Sequence, residues 1–139
     1  MRLVNWEARL SAYIASVART GFAYGRHDCA LFAAGGVDAL TGTDPAAAWR
    51  GRYTTEIGGL RHLRRAGFRD HIAHAESLFS VMPANSALPG DLGIVENPDG
   101  PDRLRTALGI VQGELLYVLR PEGLALLPVN FAVRILGVR

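Results

Sequence analysis

Apolar residues near the start of the chain fall at Trp6, Leu10, Tyr13, Ile14 and Val17. Spacings of three and four place them on one stripe, which predicts an amphipathic helix over Trp6–Thr20, with Asn5 as cap and Thr20-Gly21 as its end. Phe22 to His27 reads as an extended or looped approach to a second helix. From Cys29 to Leu40 the residues are helix formers with apolar side chains, and Asp28 is a good N-cap for them. The Gly35-Gly36 pair costs helix stability relative to alanine, and predicts close approach of another backbone. Thr41-Gly42-Thr43-Asp44-Pro45 is a stop and a new start. Asp44 is the cap and Pro45 the first position of a short helix through Ala46 to Trp49. A further helix, roughly Ile57 to Ala66, puts Leu60 and Leu63 on one side and Arg61, Arg64 and Arg65 on others, and Gly67 ends it.

After Pro83 the period changes. Ala87 to Asp91 is a turn, and Leu92 to Val95 is short and apolar like a strand. Asn97 to Asp102 has loop composition. Ala107 to Val111 and Leu115 to Leu119 read as a hairpin about Gly113. Pro121-Glu122-Gly123 is another turn, with Leu124 to Pro128 beyond it, and Arg134 to Val138 is a last strand. Helices first and an antiparallel meander after them give an α+β domain spanning 1–139.

Composition narrows the function classes. The chain has 139 residues, 49% hydrophobic, with a net charge of +2, as in an ordinary globular protein. All 15 basic residues are arginine, and beyond Arg61, Arg64 and Arg65 they are dispersed, which gives nucleic-acid binding no support. No apolar run is long enough to span a bilayer. Asn5, Glu7 and Arg9 interrupt the apolar residues that a secretory signal would need. The single cysteine excludes an internal disulfide and a Cys-rich zinc site. His71 and His74 are three apart, but a third metal ligand is not evident, and surface histidines are the economical account. No metal or organic cofactor is expected.

The chemistry centres on Cys29. At the first turn of a helix its thiolate is favoured by the unpaired N–H groups and the dipole, so it is a candidate nucleophile if a base can reach it. Asp28 opposes this unless its carboxylate turns towards the helix amides. The plain alternative is a small buried side chain in a core helix.

Tyr24-Gly25-x-x-Asp28-Cys29-Ala30-Leu31-Phe32 resembles the nucleophile segment of the NlpC/P60 cysteine peptidases, a papain-like family that cleaves peptide bonds in bacterial cell walls. Leu88-Pro89-Gly90-Asp91-Leu92 resembles that family's turn into its first strand. With Thr41 to Asp44 and Arg50 to Tyr53, the chain is similar to the short NlpC/P60-related proteins encoded among tail genes of tailed phages and gene transfer agents. The resemblance implies a papain-like fold with N-terminal helices packed on a small antiparallel sheet. It implies Cys29 as nucleophile, with Tyr24 and Asp28 beside it.

One position departs from the family. Its second strand begins with the histidine that serves as general base, and here Ala107 stands at that place in Ala107-Leu108-Gly109-Ile110. Loss of a base costs about two to four decades of rate. His27 is two residues from Cys29, a poor placement for a hydrogen bond, while His62, His71 and His74 come from the segment between the cysteine helix and the sheet, and one of them folding over the site is the other route to a base. The expectation is a tail-associated protein, a tip or hub or assembly component without its catalytic base. Its partners would be other tail proteins, in the virion or in the host cytoplasm during assembly. The alternative is an active peptidoglycan cysteine peptidase using Cys29 with a non-standard base, with peptidoglycan peptides as its partners.

Overall fold

The computed structural model describes residues 1–96 and 106–139; the loop expected at Asn97 to Asp102 lies outside them. Its elements are α1 (Trp6–Val17), α2 (Cys29–Thr41), α3 (Glu56–Arg65), α4 (His71–Leu78), β1 (Ser80–Met82), β2 (Leu92–Glu96), β3 (Thr106–Gln112), β4 (Leu115–Arg120), β5 (Gly123–Pro128) and β6 (Ala132–Gly137). The described residues form an α+β arrangement: four helices and a six-stranded antiparallel sheet in the order β1-β6-β2-β3-β4-β5. The expected meander holds for β2 to β5. The sixth strand returns to lie between β1 and β2. β1 has only three residues and no alternation of its own; its pairing with Ile135 to Gly137 of β6 defines it.

α2 is the buried centre. Phe32, Val37 and Leu40 are all but inaccessible, because α1 covers one side and the sheet the other, while Leu31 is buried with Ala34 and Ala46 against Trp49 and Tyr53. Period-2 alternation divides the strands between two clusters. Ile94, Leu108, Ile110 and Leu119 join the helical core, while Val95, Val111, Leu116 and Ile135 form a second cluster. The Gly35-Gly36 pair admits side chains where another backbone was expected. A Cβ at Gly35 would lie 2.2 Å from Tyr13 Oη, and one at Gly36 would lie 2.5 Å from Ile110 Cδ1. Tyr13 then donates to the Phe32 carbonyl over 2.7 Å.

Three local expectations change. α1 stops at Val17, and the Asn5 side chain makes no capping bond. Ala46 to Trp49 forms turns in place of a helix: Asp44 accepts from the Ala46 N–H, and Arg50 bonds both Asp44 and the Leu31 carbonyl. Gly51, at φ +73°, ends the segment before a second turn can form.

The Pro89-Gly90-Asp91 turn closes the fold. Asp91 is fully buried. Its carboxylate accepts from Leu88 N–H (3.0 Å), Val138 N–H (3.1 Å), Arg2 Nη2 (3.2 Å) and Arg139 Nη2 (2.7 Å). Arg2 also donates to the carbonyls of Val138 and Pro89, so this one anion joins the two sequence ends to the start of β2. Asp91→Asn preserves volume but places an amide donor among donors. Urea unfolding should show a loss of about 3–5 kcal/mol, the usual cost of breaking a buried, hydrogen-bonded ion pair from one side. A change below about 1 kcal/mol, the level of an exposed pair, would contradict this assignment.

Candidate functional site

Cys29 is the first residue of α2, and the loop before it is built to hold it there. Gly25 sits at φ +82° under the Tyr53 carbonyl, where a Cβ would lie 1.8 Å from the oxygen. Ala23 and His27 bridge across the loop. Asp28 has extended dihedrals and caps α2 through Oδ1, which accepts from the Leu31 N–H over 2.9 Å. Its Oδ2 accepts from the Gly25 N–H over 3.1 Å and from the Tyr53 hydroxyl over 2.5 Å. The carboxylate thus turns to the helix amides, as a nucleophilic role for its neighbour requires.

An imidazole reaches the sulfur from another element. His71 opens α4, whose cap Asp70 accepts from the Ala73 N–H. Its Nε2 lies 3.9 Å from Cys29 Sγ, within hydrogen-bonding distance for sulfur. The main chain of Thr106 hydrogen-bonds the ring. His71 therefore sits against β3 beside Ala107, the small residue that the resemblance aligns with a catalytic base. The expectation of surface histidines at 71 and 74 is corrected. His74 packs its ring against Trp49 and Phe68, at centroid distances of 4.4 and 4.9 Å, because α4 lies across the sheet and turns this face inward.

The other histidines do not serve the sulfur. His27, the adjacent base candidate, is buried with its ring edge-on to Phe32 and lines a different concavity, with Tyr13 and Arg50. The geometry of the Ala23–His27 bridge turns it away from the cleft. His62 bonds the Arg52 carbonyl over 2.9 Å. Tyr24 does line the cleft, and its hydroxyl is 3.5 Å from Glu56 Oε2. Tyr53, which closes the Arg50-to-Tyr53 segment of the resemblance, orients Asp28; Glu56, which meets Tyr24, carries no sequence signal of its own. The available sign for His71 was its context: Asp70-His71 repeats the Asp28-Cys29 arrangement, a carboxylate cap before the reactive residue at the first helical position.

Cys29 and His71 face a cleft of about 920 Å³, with Trp49, Leu60, Leu63 and Leu124 among its apolar walls and Arg64, Arg69 and Arg120 among its charged ones. Both side chains are half-buried: densely surrounded, yet with surface open to the cleft. Burial, and then the Asp28 charge, push the Cys29 thiol up to about 12, against the opposing N–H groups of Leu108, Ala30 and Cys29 itself. Burial pushes His71 below its ordinary value, with Asp70 the main opposing charge. At neutral pH the resting pair is a thiol beside a neutral imidazole. Among the described residues no cluster of three or more His, Cys, Asp and Glu side chains is arranged to hold a metal. No helix among them is long and apolar enough to cross a membrane.

These protonation states have two measurable consequences. Alkylation of Cys29 by iodoacetamide should accelerate about tenfold per pH unit from pH 7 to 10, in step with the thiolate fraction; a plateau near neutrality would reveal a preformed ion pair instead. His27, His71 and His74 all have lowered values caused first by burial. Unfolded imidazoles titrate near 6.5, so on acidification the unfolded state binds protons first and stability falls as pH drops below about 6.5. The urea midpoint should decline between pH 7.5 and 5, and less so in His27→Gln.

A family model described as a domain of unknown function, DUF6950, matches residues 1–138. No curated protein and no solved structure matches the chain.

Proposed function

The chain belongs to the DUF6950 family, and we propose that it is a cysteine peptidase with Cys29 as nucleophile and His71 as general base. The observation that carries this reading is the 3.9 Å approach of His71 Nε2 to Cys29 Sγ at the wall of an open cleft. Nucleophile and base within reach, with a third group orienting the base, is the arrangement thiol acyl transfer needs. With Nε2 given to sulfur, the other ring nitrogen is the one left to donate to the Thr106 main chain, which fixes the tautomer.

In the proposed reaction His71 takes the thiol proton as sulfur attacks a peptide carbonyl. The N–H groups of Cys29 and Ala30, at the start of α2, meet the developing oxyanion. His71 then protonates the leaving amine, and water releases the acyl group from sulfur. Because the thiol rests protonated, proton removal accompanies attack and no thiolate accumulates beforehand. The resemblance to tail-encoded NlpC/P60-related proteins offers cell-wall peptides as substrates and a phage or gene-transfer-agent tail as the carrier.

A second reading, a tail tip or hub component that no longer cuts, is favoured by the thiol's displacement to about 12. Digestion of purified peptidoglycan and of linear peptides separates the two. The peptidase reading requires Cys29→Ala to abolish cleavage and His71→Ala to cut kcat by about two to four decades, with His27→Gln near wild type. Undiminished cleavage in His71→Ala would sink the assigned base, and no cleavage by the wild-type chain of either substrate would favour the tail component.

A further inference from the structure

We propose that the outer edge of β5 is a docking edge for an extended, α-linked L-peptide, whose backbone adds to the sheet as a further strand leading into the Cys29–His71 cleft. The inference takes the identity of its occupant from the peptidase reading, but the edge itself rests on separate observations. β5 ends the sheet among the described residues. It has six residues, Gly-Leu-Ala-Leu-Leu-Pro, with no charge among them. Natural edges of that length carry charges, bulges or prolines to prevent pairing. The other edge, β1, is protected by having only three residues.

The register identifies which groups are free. β4 pairs with β5 as Arg120↔Gly123, Val118↔Ala125 and Leu116↔Leu127, with Leu119↔Leu124 and Tyr117↔Leu126 between them. The β4–β5 connection is the two-residue turn Pro121-Glu122, which makes Arg120 and Gly123 a hydrogen-bonded pair. Hydrogen-bonded and non-bonded pairs alternate along an antiparallel ladder. Ala125 and Leu127 therefore spend their backbone groups on β4, while those of Leu124 and Leu126 point away from the sheet. Pro128, next in that outward series, has no N–H to offer, so the edge closes at its far end. Its open end is at the cleft, where Pro121 to Ala125 form part of the wall that also holds Cys29 and His71. Strand addition of this kind takes affinity from main-chain bonds and selectivity from alternate side chains; Leu124, Leu60 and Leu63 suit apolar ones.

A pairing edge has a two-residue period. It accepts a regular α-linked peptide and rejects a cell-wall stem peptide, whose mixed L- and D-centres and side-chain-linked bond break the period. The edge therefore narrows the substrate of the proposed peptidase from the cell-wall peptides that the resemblance offers to ordinary polypeptide.

Amide hydrogen exchange of the Cys29→Ala chain, read by NMR, tests this. A pool of random L-octapeptides should slow the Leu124 and Leu126 amides about tenfold or more and leave Ala125 and Leu127 unchanged. Soluble stem tetrapeptides should have no such effect. Leu126→Pro removes one outward donor without touching the ladder, so its circular dichroism should match the parent while L-pool binding weakens about tenfold. Failure of the L pool to bind, binding that leaves both amides fast, or equal protection by the stem peptides would overturn the proposal. So would protection that rises with protein concentration alone, which would mean a second copy pairs there. Protection in a chain whose wild-type form never hydrolyses peptides would uphold the docking edge and remove the peptidase reading.

Discussion

A carboxylate one residue from a sulfur proposed as a nucleophile is an electrostatic conflict, and the site is arranged around the way Asp28 resolves it. Its oxygens are taken by the Leu31 and Gly25 amides and by the Tyr53 hydroxyl. Each of those bonds holds the carboxylate at the cap. The same three bonds fix the start of α2, the left-handed Gly25 loop and the position of Tyr53. Without them the cysteine would have neither a defined direction nor a wall opposite it. The residual repulsion is still felt: it is the second cause of the thiol's raised value, after burial.

That raised value governs the kind of chemistry open to the cleft. A preformed thiolate–imidazolium pair would need a sulfur more easily ionised and a ring more easily protonated than their burial allows. A neutral thiol beside a neutral imidazole instead depends on distance and orientation, which here come from two helix starts. Asp28 and Asp70 cap α2 and α4 in the same manner, and the reactive residues are the first helical positions after them. Each capped start has few conformations available. His71 is held further by the Thr106 main chain on one side and by the His74 ring against Trp49 and Phe68 on the other.

Ala107 takes on a different meaning in this setting. It occupies the strand position where the resembled family carries its base. Its small side chain lines the cleft next to the main chain that holds the His71 ring. A base on α4 beside β3 and a base on β3 itself approach the sulfur from one region, and both placed there would crowd each other. The register that puts Leu124 and Leu126 outward on β5 arises from the same sheet, so cleft and edge share one scaffold.

Much of the scaffold could be read from the chain by itself. The apolar period set α1, α2 and the strands from Leu92 onward, and Asp28 was recognisable as the cap that places Cys29 at a helix start, because capping and amphipathicity act over a few adjacent residues. The turns at Ala46 to Trp49, the three-residue β1 and the filling of Gly35 and Gly36 by Tyr13 and Ile110 were not recoverable, since each is decided by a partner far along the chain. His71 is the clearest case. Forty-two positions separate it from Cys29, a polar local sequence makes it look superficial, and only the packing of α4 across β3 carries its imidazole to the sulfur.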